Sequence, residues 1–123
     1  MRSYKVQTKD QLSIHVQEWS DNKKPKGTIC IIHGLGEHQN RYTHVAEFYI
    51  INGFQVYSYD QRGHGKSEGK RGHSPGLDYN IDDLERVLKT ILHQHLFLYG
   101  HSFGGNVLVN FLLRQQPKYL RGA

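Results

Sequence analysis

Two kinds of rhythm run along this chain. Tyr4 to Thr8 and Leu12 to Trp19 alternate apolar with polar positions, and Leu12, Ile14, Val16 and Glu18 share one face. The turn signal Lys9-Asp10 lies between them, so the segment predicts a half-buried antiparallel hairpin. His15 falls on its polar face and is expected to be solvated. Thr28-Ile29-Cys30-Ile31-Ile32 and Phe54 to Tyr59 instead run with little interruption. That is the pattern of strands buried on both faces, as in parallel sheets. Leu96-Phe97-Leu98-Tyr99 is a further apolar strand. Between the strands the period changes. Tyr42, Val45, Ala46, Phe48, Tyr49 and Ile50 fall near helical spacing, stopped by Asn52-Gly53. Ile81, Leu84, Val87, Leu88, Ile91 and Leu92 line one face of a helix capped by Asp78 or Asn80 and ended by His93-Gln94-His95. A third helix runs from Phe103 to about Gln116 and stops at Pro117. Tyr119 to Ala123 reads as the approach to another strand.

A hairpin followed by alternating strands and helices predicts an α/β architecture, with right-handed crossovers and a mostly parallel sheet covered on both sides. Ligands in such sheets sit beyond the carboxyl ends of the strands. Three polar loops follow strands at that end: His33 to His38, Asp60 to Ser67, and Gly100 to Gly104. In a parallel sheet they share one rim.

The third loop carries the most specific chemistry. Gly100-x-Ser102-x-Gly104, between an apolar strand and an amphipathic helix, fits the nucleophile elbow. There the serine sits on a sharp turn, and the backbones on either side pass too close for a Cβ. Ser102 is the candidate nucleophile. A serine hydroxyl also needs a general base, a group that orients the base, and N–H donors aimed at the developing oxyanion. Phe103 N–H, at the start of the next helix, has no intrahelical acceptor. The second donor is expected from the glycine loop after Ile32, at Leu35 N–H.

Other chemistries fit poorly. The P-loop pattern needs glycine where Asp60 stands, and the dinucleotide pattern needs it where Gln39 stands. His33, His38, His44, His64, His73 and His101 lack zinc-ligand spacing and suit hydrogen bonding, so no metal and no cofactor are expected. His101 reads as structural, and Asp60 and Arg62 as a local ion pair or turn-stabilising hydrogen bonds.

Composition narrows the class. The length of 123 residues fits one domain or part of one. Formal net charge is +5, but the basic residues are scattered apart from Lys23-Lys24-x-Lys26, which reads as a solvated loop. No nucleic-acid partner is expected. Cys30, the single cysteine, lies within an apolar run and reads as a buried small hydrophobe. The N-terminus shows no signal-peptide pattern, and no apolar run is long enough to span a membrane, so a cytoplasmic protein is expected.

Several motifs together resemble a known family. His33-Gly34-x-Gly36-Glu37-His38, Arg41-Tyr42, Asp60-x-Arg62-Gly63-His64-Gly65-x-Ser67-x-Gly69, Arg71-Gly72-His73 and Gly100-His101-Ser102-x-Gly104-Gly105 resemble the monoacylglycerol lipase and lysophospholipase branch of the α/β-hydrolases. The resemblance implies a serine hydrolase that cleaves lipid monoesters through an acyl-enzyme. It implies Ser102 as nucleophile, and Leu35 and Phe103 as oxyanion-hole donors.

In that fold the triad runs in the order Ser, acid, His. No Asp, Glu or His follows Ser102 in these residues. The expectation is therefore that residues 1–123 form the N-terminal part of a single α/β-hydrolase domain, with the cap and C-terminal part absent. By itself this chain is expected to be inactive, and poorly soluble or partly unfolded through an open sheet edge. Peripheral membrane contact, which in the family involves the cap, would belong to the full-length form. The competing readings are a non-catalytic α/β-hydrolase-like binding protein or truncated pseudoenzyme, and a basic interaction module.

Overall fold

The apolar runs form the middle of one mixed sheet. The computed structural model describes residues 2–19, 24–34, 36, 38–91 and 95–123. Its strands are β1 (Arg2–Gln7), β2 (Ser13–Glu18), β3 (Thr28–Ile32), β4 (Gln55–Tyr59), β5 (Leu96–Gly100) and β6 (Leu120–Gly122). Its helices are α1 (Thr43–Ile51), preceded by a 3₁₀ turn at Gln39–Tyr42, α2 (Leu77–Thr90) and α3 (Phe103–Gln115). The strand order is β1-β2-β4-β3-β5-β6. β1 and β2 form the antiparallel hairpin, β2 joins β4 antiparallel, and β4, β3, β5 and β6 are parallel.

Every residue of β3 and β4 is buried, including the polar Gln55 and Ser58 of β4. Their side chains divide between two cores. Cys30, Ile32, Tyr57 and Tyr59 pack with Leu84, Val87 and Leu88 of α2 and Val107 and Phe111 of α3. Ile29, Ile31 and Val56 pack on the opposite face with Tyr42 and Ala46. Thus α1 covers one face, and α2 and α3 cover the other. Cys30 is fully buried, and that burial pushes its thiol up to about 12. It behaves as a packing residue, as its sequence context suggests.

The chain runs from β3 through α1 to β4, then back past β3 through α2 to β5. Its direction reverses at β3, and the connections after β3 and β5 leave toward opposite faces. A crevice opens at the carboxyl ends of strands where this happens. Register makes the rim level: Ile32 pairs with Tyr59 on one side and with Gly100 on the other.

Two expectations are corrected. α2 begins at Leu77, ahead of the predicted Ile81, so Asp78 and Asn80 lie inside its first turn. No side chain caps it; Gly76 is the N-cap. Asn80 is buried and its Oδ1 accepts from Ser74 Oγ at 2.6 Å, a tertiary use that a capping rule does not anticipate. The predicted end of this helix, at Leu92 and His93-Gln94, lies outside the described residues, as does Lys23 of the basic cluster. His15 is half-buried, because β2 is an interior strand and the loop after β4 packs beside it. Its backbone N–H donates to Ser67 Oγ at 2.9 Å, and burial holds its imidazole below the usual histidine value.

Candidate active site

Ser102 occupies a backbone conformation that a side chain rarely adopts, with φ 56° and ψ −117°. Such positive-φ conformations cost about 1–3 kcal/mol and persist only where their surroundings enforce them. Here two glycines let the surroundings close in. A Cβ on Gly100 would lie 2.8 Å from the Gly104 carbonyl oxygen and 2.9 Å from Gly105 Cα. A Cβ on Gly104 would lie 2.1 Å from the Ile32 oxygen and 2.5 Å from the His33 oxygen. The elbow is therefore pressed against the end of β3. Three backbone bonds close it: His101 N–H to Ile32 O at 3.2 Å, Gly104 N–H to His101 O at 2.9 Å, and Asn106 N–H to Ser102 O at 3.1 Å.

Ser102 is the N-cap residue of α3, yet its hydroxyl caps no backbone N–H, and the residue is exposed. The hydroxyl stands beside the positive end of the helix dipole, where developing negative charge is favoured. Phe103 is the first helical residue, so its N–H belongs to the orphan donors of the first turn. Leu35, the second expected donor, lies outside the described residues. His101 is exposed and its ring tilts against Tyr42, with centroids 6.2 Å apart.

The other two rim loops are tied to each other. His33 is fully buried. Its Nε2 accepts the Gln61 backbone N–H at 2.8 Å, so the ring proton sits on Nδ1 and donates to the Gly34 carbonyl at 2.7 Å. Gln61 Nε2 donates to the His33 carbonyl at 2.7 Å, closing a reciprocal pair. From the same loop, His64 Nε2 accepts the Gly36 N–H at 3.0 Å. The loops after β3 and β4 are thus tied together by specific bonds, and the elbow joins the end of β3 through His101 N–H to Ile32 O.

Arg62 and Asp60 do not pair with each other as a local ion pair. Arg62 is 2% exposed, and its Nε and Nη2 meet both Asp83 oxygens at 2.7 and 3.0 Å. Nη1 and Nη2 bond both Asp10 oxygens at 2.8 Å. One guanidinium so joins the hairpin turn, α2 and the rim. The two carboxyls respond differently. Hydrogen bonding to Arg62 holds Asp10, still partly open to water, well below the usual carboxylate range. Asp83 is buried, and desolvation pushes its carboxyl up against the pull of the same guanidinium. Asp60 serves the turn instead, since Oδ2 accepts the Lys66 N–H at 3.0 Å and its carbonyl accepts from Ser67 Oγ at 2.5 Å. The turn-stabilising part of the sequence expectation therefore holds. Sequence reasoning missed Asp10 and Asp83 as partners of Arg62, and Gly36 as a partner of His64, because these lie far away along the chain. The one local signal was the concentration of Arg, His and Asp in a loop that follows a buried strand.

The arrangement offers an exposed, strained serine at a helix N-terminus, beside a glycine loop held from two sides. That is a frame for nucleophilic attack on a carbonyl carbon.

Comparison with known proteins agrees with the geometry. The family model described as serine aminopeptidase, S33, matches residues 23–123. A monoacylglycerol lipase of Mycolicibacterium smegmatis is 34% identical over 105 residues, covering 82% of this chain and 38% of its own length. An uncharacterized abhydrolase domain-containing protein of Dictyostelium discoideum is 39% identical over 119 residues, covering 94% of this chain and 12% of its own. An esterase from Exiguobacterium antarcticum superposes with TM-score 0.84 at 19% identity, over 97% of this chain and 42% of that one, a likeness of fold. The chain thus spans well under half the length of each of these proteins. A family match over most of its length, on a sheet that places a glycine-flanked serine at this rim, makes the chain a member of the serine aminopeptidase S33 family of α/β-hydrolases.

Proposed function

We propose that this chain supplies the nucleophile and oxyanion-hole portion of a serine hydrolase that cleaves carboxylic esters of lipid monoesters. Ser102 Oγ attacks the ester carbonyl. The Phe103 and Leu35 N–H groups receive the oxyanion, the ester C–O bond breaks and the alcohol departs with the proton that Ser102 gave up, and water then hydrolyses the acyl-enzyme. The observation that carries this reading is the Ser102 backbone at φ 56°, enforced by glycines packed without room for a Cβ. A strained, exposed serine at a helix start is costly as mere structure and useful as a nucleophile. The ester class is supported by the relative named as a monoacylglycerol lipase.

The residues present do not complete the chemistry. No Asp, Glu or His follows Ser102, where this fold takes its orienting acid and general base. By themselves these 123 residues are therefore proposed to lack turnover, and a non-catalytic binding protein or truncated pseudoenzyme is the second reading. A cytoplasmic location, a small lipid ester as the partner, no nucleic acid, and peripheral membrane contact only in a longer form belong to the proposal. No helix among the described residues is long and apolar enough to cross a membrane.

The test begins with the coding frame. A frame continuing past Ala123 to an Asp and a His on strand-end loops supports the enzyme, and its product should hydrolyse monoacylglycerols and lose that activity in Ser102→Ala. Hydrolysis that survives Ser102→Ala refutes the nucleophile. A stop codon after Ala123 favours the second reading. Ser102-dependent turnover of a short acyl ester by the 123 residues alone overturns the claim that they are inactive.

A further inference from the structure

His64 has no part in the acyl transfer just described, yet the ring is buried and both of its nitrogens are engaged. Nε2 accepts the Gly36 N–H at 3.0 Å. That role puts the ring proton on Nδ1, which donates to the Arg62 carbonyl at 3.0 Å. Arg62 is itself fixed by two bonds to Asp83 of α2 and two to Asp10 of the hairpin turn. A continuous path of hydrogen bonds therefore leads from two secondary elements to Gly36.

Gly36 needs such a path. Its φ is 74°, and a Cβ added there would meet nothing within 4 Å, so packing does not hold this point of the loop. Two residues earlier, the Gly34 carbonyl accepts from His33 Nδ1. The loop after β3 is thus pinned at Gly34 by one histidine and at Gly36 by another, and the two rings stand 5.3 Å apart.

We propose that His64 is a positioning residue for acyl transfer: by holding the Gly36 N–H it fixes the loop after β3 at the position where its backbone can serve Ser102. The proposal rests on the reading of Ser102 as nucleophile and of that loop as an oxyanion donor. Oxyanion donors act only when pre-placed, and a displacement of about 1 Å costs on the order of 10²-fold in rate.

Two amide replacements separate the functions of the two nitrogens. Gln places its carbonyl oxygen near the Nε2 position and can still accept from Gly36. Asn reaches only the Nδ1 position. The probe is a fluorophosphonate, with imidazole added as the general base. Ser102 Oγ bonds to phosphorus, the P–F bond breaks, fluoride leaves, and imidazole takes the proton. Adduct mass gives the maximal labelling rate and the half-saturating concentration, and amide hydrogen exchange reports on Gly36. The full chain as His64→Asn should lose about 10- to 100-fold in maximal rate at unchanged half-saturation, with rapid exchange at Gly36. His64→Gln should recover most of the rate and the protection. Equal rates in wild type and His64→Asn, or equal losses in Asn and Gln, overturn the positioning role. A wild-type chain that protects Gly36 but forms no adduct refutes the nucleophile reading, and with it any catalytic part for His64.

Discussion

Gly104 and Gly105 stand side by side in the first turn of α3, and they should tolerate alanine very differently. At 104 the new Cβ would lie 2.1 Å from the Ile32 oxygen, 2.5 Å from the His33 oxygen and 2.7 Å from the Ile32 carbonyl carbon. Carbon–oxygen contacts settle near 3.3–3.6 Å, so the overlap is about 1 Å. All three atoms are backbone at the end of a central strand and have no rotamer by which to yield. Overpacking costs about 1–3 kcal/mol, and this site belongs at the upper end, near 3 kcal/mol. At 105 the nearest atom is Gly100 O at 3.6 Å, an ordinary contact. There alanine brings only its helix propensity, a gain of about 0.5–1 kcal/mol. Urea unfolding of dilute protein, followed by Trp19 fluorescence, measures both. Trp19 is the only tryptophan, and its Nε1 donates to Ser58 Oγ at 2.7 Å in the core beneath α1. With a slope of about 1.5 kcal/mol per molar urea, Gly104→Ala should lower the midpoint by about 2 M and Gly105→Ala should raise it by about 0.5 M. Midpoints lowered alike in both, or a Gly104→Ala protein as stable as wild type, would refute the claim that the elbow is pressed against β3.

Two further outcomes follow from the same geometry. Ser102→Gly should raise stability by about 1 kcal/mol, because glycine adopts positive φ without the cost a serine carries, while the nucleophile is lost; a destabilised Ser102→Gly protein would show that the turn is unstrained. Asp10 has a folded-state pKa depressed by Arg62, so its contribution is full above the ordinary carboxylate value and fades as pH falls through and below that value. Urea midpoints measured from pH 7 down to pH 3 should fall less steeply in Asp10→Asn than in wild type. Parallel curves would show that the Arg62 pairing gives no acid-side dependence.

Local pattern made much of the architecture legible, because the relevant forces are themselves local or periodic. Alternation marks β1 and β2, an uninterrupted apolar run marks β3, a mostly apolar run marks β4, and Gly100-x-Ser102-x-Gly104 marks a turn whose steric demands lie within five residues. The start of α2 was not legible. Asp78 and Asn80 have capping chemistry, but Asn80 is drawn into the interior by Ser74 and by Gln61, whose Oε1 accepts from Asn80 Nδ2 at 3.4 Å. The partners of Arg62 were hidden for a related reason. Asp60 is near in sequence, but Asp10 and Asp83 are brought there only when the hairpin and α2 dock on the same edge of the rim. His64 shows the limit most clearly: its composition reads as one loop histidine among many, and its assignment depends on which backbone N–H arrives at Nε2.

The central claim concerns Ser102, and covalent capture tests it most directly. Folded protein treated with a fluorophosphonate and imidazole, then digested and mapped by mass, should carry a single adduct on Ser102 and none in Ser102→Ala. Folded protein that stays unlabelled, or an adduct on another residue that persists in Ser102→Ala, would contradict the account.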